Sequence, residues 1–348
     1  MLFPKGIIKM MDLKKLTMEL ADCDGVSGNE GNAAETAKKF LEPFVDECFI
    51  KNGNVIGRIG SGEKRLLIDA HIDQIGFVVT GITDDGFIKI GNVGGIDRRL
   101  LLAQQVVIQG KKAVDGVICS IPPHLEKGDP AVPETDNIYI DTGYDGAGLR
   151  EIVSLGDFIS FAGHSQELLG ARITGHSLDD RCGIASLIYA AELLDKQIPN
   201  DISLYFMFSV QEEIGERGAK VGGFDIAPDI AVEVDVSFAL TSDESPDKCG
   251  KLGKGPMIGI SPSLSRRLSK NLMRIAAEKD IPYQTEVMSR LTGTNADQFS
   301  VTRGGCEAVT VSIPLRYMHT PVEVIDIRDV EYTGRLLAEF VKEAVCNG

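Results

Sequence analysis

Apolar and polar positions divide the chain into three textures. Residues 12–20 carry apolar side chains at helical spacing, Gly25-Val26-Ser27-Gly28 interrupts them, and residues 33–44 resume a helix. A mostly apolar run at 65–70 ends in His71 and predicts a strand covered on both faces. From about 77 to 162 the pattern changes. Short β-like pieces at 77–79, 87–90, 105–109, 117–118, 138–140 and 158–161 alternate with Gly, Pro and Asp turns, and only 146–155 has a helical pattern. Regular short strands of this kind predict a small barrel or sandwich. Beyond it come a helix at 179–196, strands at 202–210 and 230–236, a helix at 264–277, a strand at 308–313 and a closing helix at 329–345. Strands alternating with helices predict an α/β fold, a mostly parallel sheet with helices on both faces. The expected organisation is one α/β domain formed by residues 1–76 and 163–348, interrupted by an all-β insertion at 77–162.

Composition narrows the function. The 348 residues carry 36 basic and 51 acidic side chains, a net charge of −15, which argues against a nucleic-acid partner held through its phosphates. No apolar run approaches the roughly 18 to 20 residues of a membrane span, and the start lacks the longer apolar core of a secretory signal. Seven cysteines, odd in number and without a Cys-x-x-Cys pair, suggest reduced thiols in a cytoplasmic protein. Histidine chemistry must use one of five residues, at 71, 124, 164, 176 and 319. His124, in the β-rich segment, and His164, just after it, are read as structural.

Several polar residues fall where predicted strands end. His71-Ile72-Asp73 follows one strand, Asp179-Asp180-Arg181 opens the long helix, and Gln211-Glu212-Glu213 follows a second strand. Asp235 lies near the end of a third, and His319 follows a fourth by a short loop. Open α/β sheets bind ligands at the carboxyl ends of their strands. Imidazoles and carboxylates without a thiolate form a donor set for zinc, cobalt or manganese. They outnumber the three protein ligands typical of one catalytic zinc, and suit two ions roughly 3.5 to 4 Å apart. Glu212 and Glu213 can then divide the labour, one binding metal while its neighbour moves protons.

Each residue also has a plainer reading. Asp179 can be a helix N-cap, Glu212-Glu213 a solvated first turn, and His319 a surface histidine beside Tyr317. Asp235 resists such a reading. It sits in Val232-Glu233-Val234-Asp235-Val236, where an unpaired buried carboxylate is costly.

The stretches Gly25-Val26-Ser27-Gly28, Asp69-Ala70-His71-Ile72-Asp73-Gln74-Ile75-Gly76, Leu178-Asp179-Asp180-Arg181-Cys182-Gly183, Val210-Gln211-Glu212-Glu213-Ile214-Gly215, Val234-Asp235-Val236, Leu252-Gly253-Lys254-Gly255-Pro256 and Arg316-Tyr317-Met318-His319-Thr320-Pro321 span nearly the whole chain. With them the chain resembles the dinuclear-metal, tetrahedral aminopeptidases, a family that includes glutamyl aminopeptidases and members labelled endoglucanases. The resemblance implies that His71, Asp179, Glu213, Asp235 and His319 hold two divalent metal ions per subunit, with Asp179 bridging them. It makes Glu212 the general base and Asp73 the group that orients His71. It further implies a barrel insertion serving dimerisation and assembly, and a homo-dodecamer built from dimers that cleaves short peptides. Gln74 replaces a residue that is commonly acidic in relatives. Asn295 and Asp297 depart from a Thr-Asp-Ala-Gly segment, and His176 stands where a Lys often precedes the Leu-Asp pair.

The leading expectation is a metal-dependent aminopeptidase. A deacylase or carboxypeptidase on the same scaffold is the alternative, and would want a cation near the site; Arg181, Arg290 and Arg316 are candidates. Glycoside cleavage needs two carboxylates facing across a sugar, and two histidines have no place there. A binding particle that kept the fold without the activity is the non-enzymatic option. The preferred substrate side chain stays open.

Overall fold

The computed structural model describes residues 11–121, 124–125, 132–242 and 244–343. Helices α1 (Leu13–Ala21) and α2 (Gly31–Leu41) lead into strands β1 (Glu47–Lys51), β2 (Asn54–Ile59) and β3 (Lys64–His71). Asp12 caps α1, accepting from the Lys15 main-chain N–H. The β1–β2 hairpin was not predicted. Most of β1 is exposed, so it lacks an apolar run. Its turn does carry a sequence signal: Asn52 and Gly53 both take positive φ, as Asn-Gly hairpin turns require.

The β-rich segment forms a closed barrel. Strands β4 (Gly76–Ile82), β5 (Ile88–Val93), β6 (Gln105–Gln109), β7 (Ala113–Ile118), β8 (Tyr139–Asp141) and β9 (Phe158–Phe161) run in the order β4-β5-β8-β7-β6-β9. Every neighbouring pair is antiparallel, and closure leaves no free edge. Its interior is packed by Phe77, Ile90, Ile108, Ile140 and Ile159, with Leu149 of the short helix α3 (Gly146–Ile152).

After the barrel come β10 (Gln166–Glu167), β11 (Arg172–Gly175), α4 (Leu178–Leu194), β12 (Ile202–Ser209), α5 (Arg217–Ile226), β13 (Ile230–Phe238) and β14 (Met257–Ile260). Then follow α6 (Arg266–Glu278), β15 (Gln284–Val287), α7 (Ala296–Ser300), β16 (Glu307–Leu315), β17 (Glu323–Asp326) and α8 (Ile327–Glu343). The main sheet has the order β1-β2-β12-β3-β13-β16-β14-β15. Its centre, β12-β3-β13-β16, is parallel, as the apolar runs predict. Antiparallel joins of β2 to β12 and of β14 to β16 extend it on either side.

Helices cover both faces. Ile68 of β3 packs into a core with α4 and α8, while its neighbour Leu67 packs on the other side with Ala219 of α5 and Phe299 of α7. The predicted closing helix reached 345, and residues 344–345 lie outside the described residues. Helices α5 and α7, strands β14 and β15, and the small sheet β10-β11-β17 escaped prediction, being short or rich in polar residues and glycine. Among the described residues no helix is long and apolar enough to cross a membrane, and six cysteines are free of disulfides; Cys346 lies outside those residues.

Candidate metal centre and active-site cleft

Because β12, β3, β13 and β16 run in parallel, their carboxyl ends share one rim, and the predicted site residues meet there. One atom each from His71, Asp179 and Asp235 lie within 4.8 Å of one another. The same holds for Asp179, Glu213 and His319, and for His71, Glu212 and Glu213. Asp179 is common to the first two groups. Its plainer reading as an N-cap does not hold: Asp180 does that work, accepting from the Gly183 main-chain N–H at 3.0 Å. The Asp179 side chain instead faces His71 Nε2 at 3.0 Å and His319 Nε2 at 3.5 Å.

His124 is exposed, and His164 is an exposed partner of Asp22. Neither lines the cleft, nor does the buried His176.

Asp73 acts differently from the simple expectation. His71 Nδ1 lies 3.1 Å from the Asp73 main-chain carbonyl oxygen, and the Asp73 carboxylate is farther, at 3.6 Å. That carboxylate accepts from Ser27 Oγ and from the main-chain N–H groups of Glu212 and Glu213 at 2.9 and 3.1 Å. Asp73 thus places both the imidazole and the Glu212-Glu213 loop.

The contact of His71 Nδ1 with a carbonyl fixes its tautomer. A carbonyl only accepts, so Nδ1 carries the proton, and in the neutral ring the Nε2 lone pair faces Asp179 and Asp235. A lone pair aimed at carboxylate oxygens calls for positive charge between them. The donor set therefore fits divalent cations, which His71, Asp179 and Asp235, or Asp179, Glu213 and His319, could hold.

The electrostatics agree. Burial, then repulsion from neighbouring carboxylates, pushes Glu212 up to about 9, against the pull of His71. Burial raises Asp235 to about 7. Burial opposes charge on His319, but Asp179 and Glu213 outweigh it and lift the ring to about 11. So many carboxylates cannot all ionise here without cations.

Below the rim lies a layer that the sequence reading passed over. Asp69 and Glu233 are both fully buried and oppose each other across β3 and β13. Asp69 accepts from Ser209 Oγ at 3.1 Å and from Asn295 Nδ2 at 2.8 Å, and Glu233 accepts from Thr294 Oγ1 at 3.0 Å. Both interrupt apolar runs, the same signal that singled out Asp235. The network also gives Asn295 a place: its amide ties α7 and the 292–294 loop to the strands beneath the candidate ligands. Glu323 is a further missed support, accepting from the main-chain N–H groups of Asp179 and His319, each at 3.1 Å.

The cluster opens into a cleft of about 510 Å³. The barrel reaches it through the loop after β5, where Gly94 and Gly95 pass close to the site. A Cβ at Gly94 would lie 3.2 Å from Glu213 Oε2, and one at Gly95 would lie 3.2 Å from His319 Nδ1. The three arginines considered for a carboxylate pocket are elsewhere. Arg181 is buried, donating to the carbonyls of Ile72, Leu20 and Cys23. Arg316 donates to the Leu240 carbonyl, and Arg290 is exposed and away from the cleft lining.

Comparison with known proteins identifies the family. Residues 53–336 match the model of the M42 glutamyl aminopeptidase family. The chain is 32% identical to a lysyl aminopeptidase of Pyrococcus furiosus, over 94% of this chain and 96% of the relative. An aminopeptidase from the archaeon Desulfurococcus kamchatkensis superposes with a TM-score of 0.89 at 33% identity, covering 95% of this chain and 94% of that one. A Pyrococcus horikoshii peptidase that can assemble into a tetrahedron or a large octahedral shell gives a TM-score of 0.86 at 33% identity, covering 95% of this chain and 100% of that one. The chain belongs to the M42 aminopeptidase family and is a peptide hydrolase.

Proposed function

We propose that this protein removes single residues from the amino termini of short peptides at a two-metal site. The observation that carries the reading is the pair of ligand groups that share Asp179. His71, Asp179 and Asp235 would hold one divalent ion, and Asp179, Glu213 and His319 the other. When bound, zinc, cobalt or manganese would polarise the scissile carbonyl and lower the pKa of a water.

The chain's own residues do the rest. Glu212 lines the cleft, with a carboxylate oxygen in the same group as His71 and Glu213. As general base it takes a proton from the attacking water and delivers it to the departing nitrogen. Asp73 holds the Glu212-Glu213 backbone through two main-chain N–H groups, so that the base stays aimed into the cleft. Ser27, donating to Asp73, anchors that carboxylate in turn. A carboxypeptidase or deacylase reading lacks its cation, because among the described residues neither Lys nor Arg lines the cleft. Endoglucanase action has no use for the two histidines.

The same reading extends to assembly. We propose a cytoplasmic homo-dodecamer built from dimers, with the inserted segment 77–162 as its assembly domain. The related peptidase that forms a tetrahedral shell supports this, and sedimentation would measure the particle mass.

The catalytic test is turnover of aminoacyl amides before and after chelation, beside peptides with blocked amino termini. Activity is expected to vanish with the metals and to return with zinc, cobalt or manganese, and blocked peptides are expected to be refused. Full activity after the metals are stripped would overturn the reading.

A further inference from the structure

The cleft holds a carboxylate that the reaction does not need. Glu286 of β15 lines it, half-buried, and accepts from Ser237 Oγ and, at 2.9 Å, from Ser312 Oγ. Both serines belong to the catalytic rim. Ser237 follows Asp235 by two residues on β13 and so faces the same side, and Ser312 of β16 is the register partner of Asp235. Glu286 is therefore anchored beside the metal-ligand cluster without being part of it.

Each carboxylate oxygen receives one hydroxyl hydrogen bond, which leaves acceptor positions for a ligand. Met288, two residues after Glu286, and Met318 line the same cleft and give it apolar surface. Glu216 adds a second carboxylate to the lining, bonded by Gln298 Nε2. Among the described residues no Lys or Arg lines the cleft to neutralise either acid.

A carboxylate beside the apolar side chain of Met288 fits a long amphipathic cation, whose methylene stem can pack on apolar surface while its charged tip reaches the acid. An acidic side chain would meet like charge there, and a purely apolar one would strip water from Glu286 without offering it a partner. We propose that Glu286 is a specificity-determining residue that selects substrates beginning with Lys or Arg. The inference rests on the aminopeptidase reading and deepens it. Family membership does not supply it, since the matching family is described by glutamyl activity and a relative by lysyl activity.

The test compares kcat/KM of the metal-loaded protein on Lys, Arg, Leu and Glu aminoacyl-coumarin amides, with Glu286→Gln and Glu286→Lys in parallel. In the unaltered protein the basic substrates are expected to exceed Glu by about 100-fold or more. Glu286→Gln is expected to lower the Lys-to-Leu ratio about 10- to 100-fold, and Glu286→Lys to raise the Glu-to-Lys ratio. Metal stoichiometry measured by calorimetry checks that each variant retains its centre. Glu turnover equal to or above Lys overturns the inference, as does a uniform loss on all substrates with Glu286→Gln, which would place the carboxylate on the shared α-amino group. Turnover of Leu without preference for Lys overturns the specificity alone. No turnover of any aminoacyl substrate overturns the aminopeptidase reading and the inference with it.

Discussion

The barrel and the sheet rim bury very different side chains. The barrel interior is built from Phe77, Ile90, Ile108, Ile140 and Ile159, whose burial is favourable by itself at about 1.5–3 kcal/mol per large side chain. The rim and the layer beneath it bury Asp69, His71, Asp179, Asp180, Glu233 and Asp235. Removing such groups from water is unfavourable unless partners replace the lost hydration. Asp69 Oδ1, Asp180 Oδ2 and Glu233 Oε1 have no hydrogen-bond partner among the described residues. A stability-driven core would resemble the barrel; the rim makes sense as a place for cations and substrate. At Gly94 and Gly95 the barrel approaches Glu213 and His319 closely, and there it contributes space rather than side chains.

If this division is right, substitutions at the rim should remove activity and those in the barrel should remove stability. The largest loss is expected for Asp179→Asn, which weakens both ligand groups at once. Turnover should fall about 10⁴-fold or more, with fewer ions bound per chain by metal analysis. Glu212→Gln should lower kcat about 10²- to 10⁴-fold while metal content stays the same; unchanged turnover would refute its role as base. Asp73→Asn should cost about 10- to 100-fold in activity or metal affinity, because the amide accepts from the Glu212-Glu213 backbone less well. Ile108→Ala, in the barrel interior, should have the smallest effect on turnover, with kcat/KM of the folded fraction within about twofold. It should nevertheless destabilise the protein by about 2–5 kcal/mol, read by thermal melting. Wild-type stability with impaired catalysis in that variant would break the comparison.

The same contrast explains how much of the molecule was legible in its sequence. The six barrel strands and the four central strands announced themselves through apolar runs, since burial demands apolar residues whatever the function. His71, Asp179, Glu212, Glu213, Asp235 and His319 stood out as polar groups at strand ends and a helix start, while the division into ligands and base came only from the family resemblance. Glu286 gave no warning. It lies in Gln284–Val287, a short exposed edge strand with a polar pattern, and only the chain path brings it to Ser237 and Ser312. Asp69 and Glu233 did carry a signal, as charges within apolar runs. Their partners Ser209, Thr294 and Asn295 come from distant stretches, however, and spacing along the chain cannot pair them. Asp73 was marked as a support for His71, yet its hold on the Glu212 and Glu213 main chain depends on a loop geometry that side-chain types do not encode.

The most direct measurement of the central claim is a titration of metal-stripped protein with zinc or cobalt. Calorimetry would count the ions while a Lys- or Leu-coumarin amide assay follows turnover in the same samples. The account predicts two ions per chain, no turnover before the first is added, and full turnover only when both are in place. Full turnover without added metal, or saturation at a single ion with full activity, would contradict it.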